Sequence, residues 1–254
     1  MDKFRLDHTC ALITGGSRGI GFGIAQALAE AGANIVLAAR QEDQLKQAQA
    51  QLAAPGRRVW IYSFDMSQVD AIADLYSRIV ADTGGIDILV NNAGGTRRGP
   101  AETVSAADWN FVINLNLSAV FAMCRAFGQE RIQSRRSGKI INIASLMSDT
   151  VRENNAPYAA SKGGIRQLTK ALAVDWAKYQ INVNAIGPGY IRTDLTQPLW
   201  SDAKFDQWVT GRTPLGRWGN PEDMGYAAVF LAAPASDFIT GQIFYVDGGF
   251  LSSF

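Results

Sequence analysis

The chain has 254 residues, 47% hydrophobic and 19% charged, with a formal net charge of +1. That is the composition of a globular protein, read here as one domain over 1–254, and the charge balance gives no electrostatic reason for a nucleic-acid or anionic-membrane partner. One histidine, His8, and two cysteines, Cys10 and Cys124, argue against a His-based zinc site, a Ser-His-Asp triad and a disulfide framework, so no metal is expected. The first residues, Met1 to Thr9, are charged and lack the apolar stretch of a signal peptide. No window approaches the roughly 18 uninterrupted apolar residues of a membrane helix. A reducing, cytoplasmic setting is the expectation.

Taken in chain order, short apolar or β-branched runs alternate with longer Ala-rich segments. Thr9 to Thr14 reads as a strand, followed by a glycine turn and a helix from about Ile20 to Glu30. Asn34 to Ala39 is the next strand and Gln41 to Ala53 the next helix. Arg57 to Phe64 precedes a helix from about Val69 to Ala81. Ile86 to Val90, Lys139 to Ala144, Ile181 to Ile186 and Gln242 to Val246 also read as strands, and Trp109 to Arg131 as a helix. This alternation implies βαβ units and an α/β fold with a Rossmann-type doubly wound parallel sheet. Strands that are almost wholly apolar fit a sheet covered by helices on both faces. Thr193 to Pro214 is the one irregular insertion. Its Leu195, Leu199, Trp200, Phe205 and Trp208 suggest a small helical lid over a cleft, or simple packing on the core.

Thr14-Gly15-Gly16-Ser17-Arg18-Gly19-Ile20-Gly21 lies between the first strand and the first helix. There the backbone can approach a phosphate closely, and the helix N-terminus offers free N–H groups. The spacing is T-G-x-x-x-G-x-G rather than G-x-G-x-x-G. Selectivity between dinucleotides is read about 20 residues on, where an acidic residue would bind the NAD ribose. Here the strand ends Leu37-Ala38-Ala39-Arg40, with no carboxylate. Arg40 and Arg18 together suit a 2′-phosphate, so NADP(H) is expected over NAD(H).

Tyr158 and Lys162 are spaced i, i+4 at the start of a helical segment and share one face. A neighbouring ammonium lowers a tyrosine pKa, which suits proton exchange with an alcohol oxygen. Ser145 follows a strand whose carboxyl end faces the ligand crevice, where its hydroxyl can meet a carbonyl or cap a turn. Asn91-Asn92-Ala93-Gly94 follows the fourth strand in the same way. Asn116 lies inside a helical run, where asparagine is mildly disfavoured. A serine hydrolase is excluded by the absence of a G-x-S-x-G elbow around Ser145.

These motifs, with Pro188-Gly189, occur in one order, and over Lys3 to Gly249 the sequence resembles the short-chain dehydrogenase/reductases. The resemblance implies seven parallel strands, three helices on each face and a homotetramer. It implies Tyr158 as general acid/base, Lys162 as the group that lowers the tyrosine pKa and holds the nicotinamide ribose, and Ser145 as the group that polarises the carbonyl. Asn116 then holds a water in a proton relay. Gly15, Ser17, Gly19, Ile20 and Gly21 would cradle the cofactor, with Asp65 at the adenine, Asn92, Ala93 and Gly94 alongside, and Pro188, Gly189, Ile191 and Thr193 at the nicotinamide.

Within the family, the stretches Asn91 to Arg98, Ala144 to Lys162 and Thr193 to Gly219 are most similar to gluconate 5-dehydrogenases. A sugar acid needs a cation at the pocket, and Arg97, Arg98 or Arg152 can supply it. Met147, Tyr190, Leu199 and Trp200 are candidate substrate contacts. The same aromatic residues can instead enclose an apolar ketone or a 3-oxoacyl thioester. A dinucleotide-binding sensor without turnover is the reading from a different class. It gives no physical reason for Ser145, Tyr158 and Lys162 to occur together.

Overall fold

The computed structural model describes residues 2–253. Seven strands form one parallel sheet: β1 (Cys10–Thr14), β2 (Asn34–Ala39), β3 (Val59–Ser63), β4 (Ile88–Asn91), β5 (Gly138–Ile143), β6 (Ile181–Pro188) and β7 (Ile243–Val246). Their order is β3-β2-β1-β4-β5-β6-β7. Every pairing is parallel, with Leu12 opposite Val36 on one side and Leu89 on the other. The chain reverses direction across the sheet between β1 and β4. In an open sheet the ligand crevice lies at that switch point, beyond the carboxyl ends of the strands.

Successive residues of a strand face opposite sides, and so the core divides in two. Leu12, Val36 and Leu89 pack with α3 (Ile72–Thr83), α5 (Ala119–Ser134) and α6 (Ala156–Trp176), through side chains such as Leu75, Phe127 and Ile165. Ile13, Ile35 and Leu37 pack with α1 (Gly19–Ala31), α2 (Glu42–Leu52) and α9 (Pro221–Ala232), through Leu28, Leu45 and Leu231. All five residues of β1 are buried, as are those of β4. This is the continuous apolar pattern expected of a doubly covered sheet. The edge strands β3 and β7 are the most open, with none of their residues fully buried.

The strand expectations hold to within a few residues. The helix expected over Trp109 to Arg131 lies within one continuous helical run, Ala106–Ser134, made of α4 (Ala106–Ile113), a π-helical turn at Asn114–Ser118, and α5. This whole run is long and apolar enough to cross a membrane by length and composition, yet Met123, Cys124 and Phe127 within it pack into the core. The insertion after β6 folds into α7 (Gln197–Trp200) and α8 (Ala203–Arg212). The N-terminus of α9 is fixed by a capping box of Asn220 and Asp223 with Pro221 in its first turn.

Helices α1 and α9 approach closely enough to require glycine. A Cβ on Gly225 would stand 2.7 Å from that of Ala27 and 2.9 Å from the Gly23 carbonyl. Gly225→Ala is therefore expected to destabilise the fold by about 1–3 kcal/mol. The check is a lower urea midpoint with an unchanged m-value.

Candidate active site

The carboxyl ends of β1, β4, β5 and β6 open into one cleft of ≈ 1130 Å³. Its floor is the glycine turn. Gly15 takes φ +64 and Gly19 φ +55, conformations that favour glycine. A Cβ on Gly15 would meet the Asn92 amide at 2.9 Å and Ala93 Cα at 3.0 Å, so glycine here lets the turn pack directly against the loop after β4. Ser17, Arg18, Gly19, Ile20, Arg40, Asp65, Ala93 and Gly94 all line the cleft, as do Pro188, Gly189, Ile191 and Thr193. Gly21 does not. It lies beneath the turn, where a Cβ would meet the Gly15 carbonyl and the Asn92 amide, each at 2.4 Å. Its role is packing.

Asn92 lines the cleft, but its side-chain amide is taken up by the protein. It donates to the carbonyls of Thr14 and Gly15, each at 3.0 Å. The Thr14 hydroxyl accepts from the backbone N–H of Asn92 at 3.0 Å and of Ala93 at 3.1 Å. Of the two expected phosphate-binding arginines, Arg18 forms an ion pair with Asp194 at the base of the lid, 3.5 Å. Arg40 has no carboxylate partner among the described residues.

At the other end of the cleft stand Ser145, Tyr158 and Lys162. Ser145 stands two residues past β5, and its hydroxyl accepts the Met147 N–H at 3.1 Å, capping a short turn while lining the cleft. Tyr158 lies in the first turn of α6. Burial pushes its phenol above the usual value, and the Ser145 hydroxyl and the Arg98 charge oppose that push. Lys162 is buried one turn on and donates to the Ile143 carbonyl at 2.6 Å. Its Nζ sits 5.6 Å from the Tyr158 ring centroid, and burial lowers its pKa to about 8. The ammonium thus stands beside the Tyr158 ring while one of its three N–H donors holds the end of β5, and the Arg98 charge is a second cation that favours phenolate.

Asn116 is 1% exposed and does not line the cleft. Its Oδ1 accepts the Gly95 N–H at 2.9 Å, and its Nδ2 donates to the Gly95 carbonyl at 2.9 Å and to Ser161 Oγ at 3.1 Å. Both amide hydrogens are therefore used. Asn116 thereby ties the loop after β4 to α6.

The candidate substrate residues separate clearly. Met147, Tyr190, Leu199, Arg97, Arg98 and Arg152 line the cleft. Arg97 is turned away from Tyr158: it lies 3.4 Å from Asp108 and stacks 4.1 Å over Phe111. Trp200 is outside the cleft. Its indole faces the Thr193 carbonyl at 3.4 Å, and Arg192 covers its ring. Arg98 and Arg152 have no carboxylate partner among the described residues, and desolvation and the Arg152 charge hold the Arg98 guanidinium below its usual pKa. Arg212, Phe250, Leu251 and Ser253 also line the cleft. Nothing local in the sequence marks them, because a fold contact far along the chain brings the C-terminal turn there. Among the described residues no group of three His, Cys, Asp or Glu side chains is placed to hold a metal.

A family model described as enoyl-(acyl carrier protein) reductase, of the short-chain type, matches residues 15–251. The chain belongs to the short-chain dehydrogenase/reductase family. A gluconate 5-dehydrogenase from Gluconobacter oxydans is 43% identical over 98% of this chain and 96% of its own. A 2-dehydro-3-deoxy-D-gluconate 5-dehydrogenase from Pseudoalteromonas atlantica is 44% identical over 99% of each chain. Among solved structures, a gluconate 5-dehydrogenase from Burkholderia cenocepacia in complex with NADP and tartrate superposes with a TM-score of 0.95. It is 43% identical and covers 100% of this chain and 99% of its own.

In this short-chain dehydrogenase/reductase, Asn116→Ala leaves the Gly95 amide group and Ser161 without their shared partner. The expected loss is about 1–3 kcal/mol. It would be read as a melting temperature lower by about 2–4 °C per kcal/mol.

Proposed function

We propose that the protein is an NADP(H)-dependent oxidoreductase that interconverts a ketone and a secondary alcohol on a sugar acid of the gluconate/5-ketogluconate type. The observation that carries the substrate class is the pair Arg98 and Arg152. Two guanidiniums with no carboxylate partner among the described residues line the same end of the cleft as Ser145 and Tyr158. Such a pair suits a substrate carboxylate. The names of the relatives point the same way. The residues also fit the cofactor: the glycine turn at the N-terminus of α1 lines the cleft, β2 ends without a carboxylate, and Arg40 lines the same cleft where it can meet a 2′-phosphate.

Bound NADP(H) supplies or takes up the hydride. In the direction of reduction, Ser145 hydrogen-bonds the substrate carbonyl oxygen and Tyr158 delivers a proton to it, leaving phenolate. The Arg98 charge stabilises that phenolate, as does the Ser145 hydroxyl. Lys162 holds the ribose and the end of β5, and Asn116 holds the loop that carries Arg98. Orientation of both reactants in one crevice supplies the proximity that hydride transfer needs.

We read the assembly as a homotetramer. The resemblance to the family supports this, as do Phe121 on α5 and Val174 on α6, which are 44% and 79% exposed. Two free, buried cysteines suit a reducing, cytoplasmic setting.

The test is absorbance at 340 nm with NADPH or NADH and a panel of 5-ketogluconate, an acetoacetyl thioester and an apolar cyclic ketone. Turnover is expected with 5-ketogluconate and NADPH. Turnover with only the thioester or the cyclic ketone would overturn the sugar-acid reading. Tyr158→Phe is expected to lower kcat by about a hundredfold or more while NADPH still binds. Near-normal kcat would refute the assignment of proton transfer. Arg40→Ala is expected to weaken NADPH about tenfold more than NADH, because only NADPH carries the 2′-phosphate. Titration of each cofactor by fluorescence decides it.

A further inference from the structure

The aromatic side chains around the lid are largely covered by one another. Tyr190, two residues past β6, is their hub. Its ring centroid lies 5.7 Å from Phe205, 5.8 Å from Trp208, 5.6 Å from Trp218 and 5.3 Å from Phe250. The first three contacts are edge-on, the geometry that aromatic quadrupoles favour. The partners come from α8, the turn before α9 and the C-terminal turn. The Tyr190 ring is thus held from three directions, and its hydroxyl is the group left to bond elsewhere. That hydroxyl accepts a hydrogen bond from Arg152 Nη1 at 3.3 Å. The Arg152 guanidinium also stacks on Phe205, 4.9 Å from its centroid.

Arg152 belongs to the loop between Ser145 and α6, and its guanidinium reaches the lid at Phe205. A free arginine side chain has several rotatable bonds, and fixing it costs entropy each time it binds an anion. A ring face and a hydroxyl acceptor fix it in advance. The same two contacts explain why the cation stays in a cleft beside a second cation, Arg98, without a carboxylate to neutralise it.

We propose that Tyr190 is a positioning residue for substrate specificity: with Phe205 it holds Arg152 aimed at the carboxylate of a sugar acid whose carbonyl lies against Tyr158. The aromatic lid is then a support for a cation and not a pocket for an apolar chain. This rests on the sugar-acid reading above.

The test uses the full-length protein with NADPH and two substrates, 5-ketogluconate and L-sorbose. L-sorbose is the same ketone with the carboxylate replaced by a neutral hydroxymethyl group. Tyr190→Phe keeps the ring and its packing and removes the acceptor. It is expected to raise KM for 5-ketogluconate about fivefold, with a smaller change in kcat. Its kcat/KM for L-sorbose is expected to fall less than about twofold, the size of the change when no bonded group is lost. Arg152→Met is expected to raise KM for the acid about tenfold or more. In that background Tyr190→Phe is expected to add nothing, because it acts through Arg152. Equal losses on the acid and on L-sorbose, or additive effects in the double variant, would overturn the proposal. A large effect of Arg152→Met with none from Tyr190→Phe would overturn the positioning role and leave the sugar-acid reading intact. No effect of Arg152→Met on the acid would remove Arg152 from the substrate site and overturn the proposal, while turnover of the acid itself would leave the sugar-acid reading standing on Arg98.

Discussion

The join between the carboxyl ends of β1 and β4 is the constraint on which the cleft depends. At this switch point the connections leave the sheet toward opposite faces, and two adjacent strand ends must be held together while a crevice opens between them. Thr14 and Asn92 do this with four hydrogen bonds of 3.0–3.1 Å, each satisfying a backbone group that the sheet no longer pairs. A backbone group left unpaired inside the fold would cost about 1–3 kcal/mol. The glycine turn is thereby fixed to the loop after β4, and the two ends of the site share one frame.

That frame continues into the catalytic helix by the same device. Asn116, in the π-turn between α4 and α5, fastens Gly95 to Ser161. Farther along the same loop, the Thr96 hydroxyl meets Asn155 at 3.0 Å, and Gly99 N–H donates to the Asn154 carbonyl at 3.1 Å. Asn155 is buried at the N-cap of α6, with Tyr158 three residues on. The loop carrying Arg98 and the helix carrying Tyr158 are therefore tied at three places. Short hydrogen-bonded ties, instead of apolar packing, set the separation between Arg98 and Tyr158. Such contacts are directional, and they hold a distance more tightly than a greasy surface does.

Much of this was legible in residues. Continuous apolar strands alternating with Ala-rich helices are hard to reconcile with anything but a doubly covered parallel sheet, and β2 was placed to the residue. Ser145, Tyr158 and Lys162 could be singled out because each follows or opens an element at the carboxyl edge of such a sheet. Two assignments went differently for a common reason. Trp200 turns its indole toward Thr193, and Gly21 supports the turn from beneath. In each, a backbone group contributed by another element competes for the side chain or occupies the space beside it, and no local pattern reports that competition.

What the sequence by itself determined is therefore the periodicity, the turn chemistry and the residue types at strand ends, since these follow from local backbone geometry. From them came the fold, the cofactor cleft and the reactive trio. Tertiary structure alone decided which of the arginines near the cleft are free. Arg97 pairs with Asp108 and Arg18 with Asp194, while Arg98, Arg152 and Arg40 find no carboxylate among the described residues. It also decided that the lid aromatics pack around Tyr190, a cluster drawn from segments up to 60 residues apart, between Tyr190 and Phe250. A charge or a ring acts through its neighbours in space, and those neighbours exist only once the chain has folded.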